Sequence, residues 1–471
     1  MLENMWMHGK KMKFLDIARS IALFCLMVLA GCSAIPTMVP DMAMRSTHSE
    51  RLNDANGPLS TQQSKAILAK LKNGNSETGI FDRHLALETA IAGSPLVTGN
   101  KVELLIDGPK TYSAMYSAME KAKDHINLET FIIEDDEVGR LFAKLLMSKQ
   151  SSGVQVNLIY DSVGSIYTPK EFFAKLKEGG VNVLEFNPVN PLNAQKGWQV
   201  NRRDHRKLLI VDGEIAFVGG VNISSVYSSG SFGRSRSDNK DNPPWRDTHM
   251  QIEGPIVNEF QKMFIATWEE QKGEPLAPRN YLPKLANKGH DVVRAIGSSP
   301  EAEYSQIYIT LLSAINSAES HVFLTNAYFV PDPQLLAALK EAARREVDVR
   351  LLLPARTDSI LVYHASRSYY DELLSAGVKI YERQDALLHA KTALIDGVWS
   401  TIGSTNLDWR SFLYNHEINA VVLGQEFGEQ MQALFDKDLQ YSKLVTLKEW
   451  RKRPIGKRIK ERAARLWAQW L

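Results

Sequence analysis

Cysteine is nearly absent from this 471-residue chain. The two cysteines that occur, Cys25 and Cys32, both lie within the first 32 residues. A disulfide framework and a cysteine-ligated zinc site are therefore excluded from the rest of the chain. Long apolar runs are scarce too. The run Ser20–Ala30 has 11 residues, which is too short to span a bilayer, since a transmembrane helix needs about 20.

Charge of one sign is not in excess either. The chain has 56 Lys and Arg against 54 Asp and Glu, so its formal net charge is +2. A near-neutral total argues against a chain built throughout to bind nucleic acid, although it leaves local patches open. The hydrophobic fraction of 44% and the charged fraction of 23% are ordinary for a globular protein. They exclude a disordered chain, a coiled coil, a collagen-like fibre and a polytopic membrane protein.

The N-terminal segment has the organisation of an export signal. Basic residues between Lys10 and Arg19 precede the apolar run, which ends in Leu29-Ala30-Gly31-Cys32. This end resembles the lipobox of bacterial lipoproteins. The resemblance implies that residues 1–31 are a signal peptide, that Cys32 is lipidated, and that the protein is exported to the periplasmic face of a membrane or to the outer membrane. An uncleaved anchor and a chance cysteine are the alternatives.

Residues 32–98 are poor in aromatics and rich in Ser, Asn, Thr and Gly. This composition predicts a tether with one amphipathic helix near Ser60–Leu71. A lipid-anchored enzyme needs such a spacer to reach the membrane that it faces.

The remainder contains one motif twice: His-x-Lys-x4-Asp, followed by a pair of small residues and an asparagine. The members are His205, Lys207, Asp212, Gly219-Gly220 and Asn222 in the first copy, and His389, Lys391, Asp396, Gly403-Ser404 and Asn406 in the second. The spacing is the same in both copies, and a repeat of this length is a domain duplication. The predicted halves are residues 99–285 and 286–445.

Short apolar runs such as Leu208–Val211 and Val349–Leu353 suit strands that are buried on both faces. Helical patterns such as Val138–Met147 and Pro333–Arg344 separate them. Alternation of strand and helix predicts an α/β sandwich with helices on both faces of the sheet.

A histidine and a lysine two positions apart on a strand point to the same face. Each half then offers an imidazole, an ammonium and an amide, and together the halves offer two of each. This set suits a phosphodiester: one histidine attacks phosphorus, the other protonates the leaving oxygen, and the lysines and asparagines hold the charge on the non-bridging oxygens.

The duplicated motif resembles the signature of the phospholipase D superfamily, over about residues 100–445. The resemblance implies a duplicated α/β/α sandwich whose halves share one active site. It also implies a covalent phosphohistidine and no metal or other cofactor. Asp212 and Asp396 complete the catalytic signature and are expected to brace the strand-turn. A downstream carboxylate orients each histidine in this family, and the matching residues are Asp247 for the first half and Glu417 for the second.

Several short sequence segments are most similar to those of bacterial cardiolipin synthases. Among them are Trp245-Arg-Asp-Thr-His249, Tyr328-Phe-Val-Pro-Asp332 and the stretch from Gly403 to Phe412. This similarity implies transfer of a phosphatidyl group from one phosphatidylglycerol to another, with His205 as the nucleophile. A phospholipase D hydrolase that releases phosphatidic acid is the main alternative. A nucleic-acid phosphodiesterase is less favoured, because the charge is near neutral and the chain carries an export signal.

Residues 446–471 contain nine basic and two acidic residues. A single apolar stripe at helical spacing is formed by Ile459, Ala463, Leu466, Trp467 and Trp470. A basic amphipathic helix of this kind suits an anionic membrane surface. The alternative is a helix packed on the catalytic core with a solvated basic face.

Overall fold

The computed structural model describes residues 51–72, 80–91, 93–189, 199–228 and 245–471. The predicted signal peptide at residues 1–31 and the lipidation site Cys32 lie outside these ranges. Within the described ranges, no helix is both long and apolar enough to cross a membrane.

The described residues before the first half belong to the folded body. Their elements are β1 (Asn53–Asp54), β2 (Gly57–Pro58), α1 (Thr61–Lys72), a π-helical turn (Ile80–His84) and α2 (Leu85–Ile91). The helix predicted near Ser60–Leu71 is therefore confirmed as α1. Leu52, Ile80 and Leu85 are fully buried, and His84 Nδ1 lies 3.0 Å from Ser313 Oγ in the second half. This corrects the expectation of a tether for the described part of residues 51–91, because its apolar side chains pack into the core.

The first half alternates strands and helices as predicted. Its elements are β3 (Val97–Ile106), α3 (Asp107–Lys121), β4 (His125–Thr130), α4 (Glu137–Ser151), β5 (Gln155–Asp161), α5 (Lys170–Glu178), β6 (Asn182–Phe186), β7 (Arg203–Asp204), β8 (Lys207–Val211), β9 (Ile215–Gly219), β10 (Trp245–Arg246), β11 (Thr248–Glu253) and α6 (Val257–Glu270).

The second half repeats this series with extra short elements. It consists of β12 (Asp291–Ser298), α7 (Gln306–Ser317), β13 (His321–Asn326), β14 (Phe329–Val330), α8 (Pro333–Arg344), β15 (Asp348–Pro354), α9 (Ile360–Arg367), α10 (Tyr370–Ser375), β16 (Lys379–Arg383), β17 (Leu387–Leu388), β18 (Lys391–Ile395), β19 (Trp399–Gly403), β20 (Leu407–Asp408), α11 (Trp409–Leu413), β21 (Asn415–Leu423), α12 (Gln425–Gln440) and β22 (Ser442–Val445).

Strand pairing shows the duplication directly. The first half has the order β3-β11-β9-β8-β4-β5-β6, and the second half has the matching order β12-β21-β19-β18-β13-β15-β16. The last three strands of each series are parallel, and β3 pairs with β12 to join the two halves. The predicted α/β/α sandwich, present twice, is confirmed.

The central strands are apolar on both faces because each face is covered. Leu209 and Val211 of β8 face a core under the helices of the first half. Leu208 and Ile210 face a core to which both halves contribute, including Phe260 of α6. This shared core fixes the halves against each other and therefore fixes the motif residues at the strand ends.

The C-terminal segment contains α13 (Leu447–Arg451), α14 (Ile455–Arg465) and a short 3-10 turn (Ala468–Trp470). The single helix expected over residues 446–471 is interrupted at Pro454, because proline has no N–H to continue the helical hydrogen bonds. The basic amphipathic part is α14.

Candidate active site

Both motif lysines begin antiparallel strands, β8 and β18, and lie beside the carboxyl ends of the neighbouring parallel strands. Lys207 is opposite Thr130, the last residue of β4, and Lys391 is opposite Asn326, the last residue of β13. Each motif histidine lies two residues earlier, where its chain has just crossed to the other half. The N–H of His205 donates to the carbonyl of His416 at 2.9 Å, and that of His389 donates to the carbonyl of Arg246 at 2.8 Å.

These crossings pair each histidine with a carboxylate of the opposite half. His205 Nδ1 lies 3.0 Å from Glu417 Oε1, and His389 Nδ1 lies 2.6 Å from Asp247 Oδ2. The expected assignment of Asp247 to the first-half histidine and Glu417 to the second is therefore wrong. The physical reason is strand pairing, since β7 runs beside β21 and β10 runs beside β17.

The carboxylates determine which nitrogen of each histidine is reactive. A carboxylate only accepts hydrogen bonds, so Nδ1 carries the proton and Nε2 keeps its lone pair. Burial lowers the pKa of His205 to about 4, although the charge of Glu417 opposes this. Burial and the charge of Lys391 lower the pKa of His389 to about 4. Both imidazoles are thus neutral near pH 7 in the absence of substrate.

Two buried lysines complete the centre. Each ammonium donates to the backbone carbonyl of its motif histidine, and Lys391 Nζ also lies 3.0 Å from His389 Nδ1. Burial lowers the pKa of Lys207 to about 7 and that of Lys391 to about 8. A bound anion would hold both ammonium groups charged, so the site is electrostatically suited to a phosphate group.

The motif asparagines are both buried. Asn222 Nδ2 donates to the Tyr227 hydroxyl at 2.9 Å, and that hydroxyl lies 3.3 Å from His389 Nδ1. Asn406 Oδ1 has no hydrogen-bond partner in the part of the chain that the structure describes. Because the two ends of an amide are nearly equivalent in shape, Asn406 can turn its NH2 group toward a ligand. Their role as phosphate donors stays a prediction.

Comparison with known proteins agrees with this geometry. The family model described as cardiolipin synthase, PLD-like domain, matches residues 115–232 and 311–439. A cardiolipin synthase of Geobacillus kaustophilus is 36% identical over 385 residues, which cover 81% of this chain and 74% of that protein. One from Listeria innocua is 36% identical over 377 residues, or 79% and 76% of the two chains. The chain belongs to the cardiolipin synthase family.

The fold of the family extends to more distant enzymes. The crystal structure of phosphatidylserine synthase from Haemophilus influenzae superposes with a TM-score of 0.60 and covers 82% of this chain and 99% of its own. At 13% identity this likeness concerns the fold alone.

The two motif aspartates of this family member brace turns at the far ends of their strands. The Asp212 carboxylate accepts the N–H groups of Lys123, Asp124 and His125 at 2.8–3.1 Å. Asp396 accepts the N–H groups of Glu319, Ser320 and His321 in the same way. Both residues have positive φ, +54° and +51°, a conformation that aspartate tolerates better than most residues. These contacts fit the expected bracing role.

Aromatic rings around the histidines were not identified from the sequence. Phe131 lies edge-on to His205 with ring centres 5.0 Å apart. Trp245 is 4.9 Å from His389, and Tyr227 is 5.8 Å from it. Only their position relative to the motifs could have indicated them: Phe131 directly follows β4, and Trp245 lies two residues before Asp247.

The difference between Gly220 and Ser404 at equivalent positions has a structural reason. A Cβ on Gly220 would lie 2.1 Å from Asp247 Oδ1, so no side chain fits there. In the second half, the Ser404 hydroxyl donates to Glu417 Oε2 at 2.5 Å. The longer glutamate therefore leaves room for a hydroxyl that binds it, whereas the aspartate approaches the backbone itself.

One cluster in the described residues has the spacing of metal ligands: Glu270, Glu301 and His416. His416 adjoins Glu417 on β21, so its side chain points to the opposite face of the strand from the active site. Arg202 already pairs with Glu301 at 2.5 Å. This cluster is therefore separate from the centre formed by the two motif histidines and lysines.

Proposed function

We propose that this chain is a phosphatidyltransferase of the cardiolipin synthase type, with phosphatidylglycerol as both donor and acceptor. The observation that carries the proposal is the pair of buried, neutral imidazoles, each oriented by a carboxylate of the other half and flanked by a lysine. Such a pair supplies a nucleophile and, once the bound phosphodiester has favoured protonation of the second imidazole, an acid in the same site.

In the first step, Nε2 of His205 attacks the phosphorus of the donor. The bond to the glycerol oxygen breaks, and that oxygen takes a proton from His389, which releases glycerol and leaves a phosphatidyl group on His205. The anionic phosphodiester favours a protonated His389, and Asp247 stabilises the imidazolium. Lys207 and Lys391 hold the charge on the non-bridging oxygens.

In the second step, a hydroxyl of another phosphatidylglycerol gives its proton to His389 and attacks the phosphohistidine. The phosphorus–nitrogen bond breaks, cardiolipin leaves, and His205 is neutral again. The aromatic rings of Phe131, Tyr227 and Trp245 pack around the histidines and limit access of water, which would divert the intermediate to phosphatidic acid.

The choice of His205 as nucleophile follows the family resemblance, because both imidazoles have similar surroundings. Acid-quenched trapping with labelled phosphatidylglycerol, followed by peptide mapping, tests this choice. We expect the label on His205, and a label on His389 would reverse the two roles.

The reaction itself is tested by incubating the purified chain with phosphatidylglycerol vesicles and analysing the products by mass spectrometry. Cardiolipin and glycerol in equal amounts are expected. Phosphatidic acid as the main product would instead identify a hydrolase, and cleavage of nucleic acid without lipid turnover would reject both.

We also propose that Cys32 is lipidated and holds the enzyme at the periplasmic face of a membrane or at the outer membrane. The support is the sequence Leu29-Ala30-Gly31-Cys32 after its apolar run. A Cys32→Ser variant in the native host should lose acyl labelling and accumulate as precursor or soluble protein. Unchanged processing and labelling would contradict the proposal.

A further inference from the structure

Two segments in equivalent positions of the two halves, a loop after β5 and the start of α9 after β15, expose large apolar side chains. After β5, Tyr167 is 95% exposed and Ile166 is 56% exposed; after β15, Ile360 is 77% exposed and Leu361 is 40% exposed. Both segments follow the carboxyl ends of parallel strands, which is the edge of the sheet where Lys207 and Lys391 lie. The duplication has thus placed an exposed apolar pair on each side of the catalytic centre.

The first pair is fixed to a residue that contacts a motif histidine. In the loop that carries Ile166 and Tyr167, Ser165 Oγ accepts the N–H of Ile133 at 3.1 Å. Thr168 Oγ1 donates to the carbonyl of the same residue at 2.6 Å. Ser165 Oγ also donates to the carbonyl of Phe131 at 3.3 Å, and the Phe131 ring packs on His205. The apolar pair is therefore beside the mouth of the site.

The second apolar pair, Ile360 and Leu361, is held in the same way next to an aromatic residue that lies near His389. Tyr328 donates its hydroxyl to Asp358 at 2.6 Å, and Asp358 lies two residues before Ile360. The Tyr328 ring centre is 6.5 Å from that of His389. Both apolar pairs are thus held next to an aromatic side chain of the centre.

The C-terminal segment extends the same surface. Helix α14 packs against α9, the helix that begins with Ile360 and Leu361. It turns Glu461 and Ala464 inward, and Glu461 is held by Arg453 at 2.6 Å. The carbonyl of Leu471 accepts the N–H of Arg410, four residues after Asn406, at 2.9 Å.

The apolar stripe predicted for this segment faces outward. Its members Ile459, Ala463, Leu466, Trp467 and Trp470 are all exposed, with Leu466 78% exposed, and Ile455 before them is exposed as well. Packing on the core and an unpartnered apolar stripe, which the sequence presents as alternatives, therefore occur together. The inner contact uses a different, narrow face of the helix.

The charge beside the stripe is positive. Lys457, Arg458, Lys460 and Arg462 are all exposed, and within the described ranges no carboxylate forms an ion pair with them. Arg451, Arg453 and Arg465 are by contrast paired with Asp371, Glu461 and Glu372. Exposed Trp, Leu and Ile next to unpaired cations are typical of surfaces that enter the interface of an anionic bilayer. Self-association through this surface would bring like charges together.

We propose that these three exposed regions form one docking face for an anionic phospholipid bilayer: Ile166–Tyr167, Ile360–Leu361 and the outer stripe of residues 455–470. The face surrounds the mouth of the site, so its insertion holds His205 and His389 at the depth of the headgroup phosphates. The inference rests on the proposed function, because it takes a membrane phospholipid as the substrate.

The test uses the chain from residue 33, which retains every described residue and lacks the lipidated cysteine. One variant carries Ile166→Ser and Tyr167→Ser, and a second carries Ile459→Ser, Leu466→Ser and Trp467→Ser. The matched control is Leu282→Ser. Leu282 is also exposed, at 46%. It lies away from the proposed face, because its neighbour Pro283 is next to Gly213, which follows the end of β8 that is far from Lys207.

Binding to vesicles of phosphatidylglycerol and phosphatidylcholine is measured by co-sedimentation, and turnover is measured on short-chain, soluble phosphatidylglycerol. Each variant should bind vesicles at least tenfold more weakly, with short-chain turnover and melting temperature unchanged, while Leu282→Ser matches the parent. A third variant replaces the four unpaired basic residues, Lys457, Arg458, Lys460 and Arg462, by glutamine. It should lose the salt-sensitive part of vesicle binding, since charge interactions are screened by salt.

Several outcomes would overturn the docking face. Unchanged vesicle binding in both apolar variants would do so, as would a parent dimer that the variants dissociate while they still bind vesicles. If one variant is misfolded, the other and the glutamine variant decide the question. If the parent turns over neither vesicle nor short-chain phosphatidylglycerol, the proposed function is rejected. The vesicle-binding measurements still test the docking face in that case.

Discussion

Glu417 of the second half holds His205 of the first, with its Oε1 atom 3.0 Å from Nδ1 of the imidazole. Asp247 of the first half holds His389 of the second in return. Neither half therefore contains a complete imidazole–carboxylate pair. The duplicated halves have become dependent on each other, and the catalytic centre exists only in their interface.

This mutual dependence predicts that both histidines are required and that their losses are not additive. His205→Ala and His389→Ala should each lower kcat by at least about a thousandfold, and the double variant should be little worse, because the two groups act as one unit. The measurement is cardiolipin formation by purified protein with an unchanged melting temperature. Half of the parent activity in either single variant would indicate two independent sites.

The crossed pairing makes a separate prediction for the carboxylates. Glu417→Gln should lower kcat by about a thousandfold or more, because an amide that donates to Nδ1 favours the tautomer that keeps its lone pair on Nδ1 and carries its proton on Nε2, the nitrogen that must attack. The loss should persist on a substrate with a good leaving group. Asp247→Asn should also slow the reaction of phosphatidylglycerol, because Asp247 acts through the acid His389. On the substrate with a good leaving group this variant should form the phosphohistidine at the rate of the parent, since that leaving group needs no acid.

The reverse pattern, with rescue of Glu417→Gln and not of Asp247→Asn, would exchange the roles of the histidines. Equal effects of both variants on the two kinds of substrate would contradict separate nucleophile and acid roles. Trapping of the intermediate in each variant supplies a readout that a purely structural defect would not reproduce.

The sequence predicted the fold and the motif positions because these depend on local pattern. Lys207 begins β8 and His205 lies two residues before it, so the two remain neighbours whatever the rest of the chain does, and the repeat of the motif indicates the duplication. The crossed carboxylates depend on which strands lie side by side at the interface. The short pairs β7–β21 and β10–β17, of two residues each, have no pattern that spacing could reveal.

Tyr227 and the C-terminal stripe show the same limit. Tyr227 lies five residues after Asn222, where no sequence pattern points to the site, yet it is buried and its hydroxyl accepts the Nδ2–H of Asn222. In residues 455–470 the periodicity correctly predicted an apolar stripe, but periodicity does not say which side of a helix faces the core. Here the small residues Ala464 and Ala468 face inward, and the large ones do not.

Gly220 provides a prediction about the space beside Asp247. Gly220→Ser should displace Asp247, whose Oδ1 would lie 2.1 Å from the new Cβ, and should cost about 1–3 kcal/mol of stability together with most activity. Ser404→Gly removes only a hydrogen bond to Glu417 and should keep measurable activity. Denaturant unfolding and kcat are measured for both. A fully active Gly220→Ser enzyme would contradict the close approach.

The bracing aspartates should affect stability and not chemistry. Asp212→Ala leaves three backbone N–H groups without their acceptor and should cost about 1–3 kcal/mol in the free energy of unfolding, with kcat per folded molecule close to that of the parent. Asp212→Asn keeps an acceptor and the positive φ, so it should be milder. A large loss of kcat in folded Asp212→Asn would assign Asp212 a direct catalytic role.

The lowered pKa values of the lysines predict how substrate binding depends on pH. The folded-state pKa is about 7 for Lys207 and about 8 for Lys391, so both are largely deprotonated at pH 9 in the free enzyme. A bound phosphodiester favours the charged forms and raises both pKa values, so binding at alkaline pH must take up protons. Affinity is therefore greatest below pH 7 and is lost as the pH rises through these values.

The inert His205→Ala, His389→Ala double variant with short-chain phosphatidylglycerol isolates this effect, because it removes both imidazoles, including the one that a bound phosphodiester would also protonate. Affinity should fall at least about tenfold between pH 7 and pH 9, since each proton taken up contributes up to a factor of about ten per pH unit. Calorimetry in buffers of different ionisation enthalpy should show net proton uptake at pH 8.5. Replacing Lys391 by Met should reduce both the uptake and the slope. A flat affinity with no proton uptake would mean that the lysines stay charged without substrate, and that their burial does not control binding.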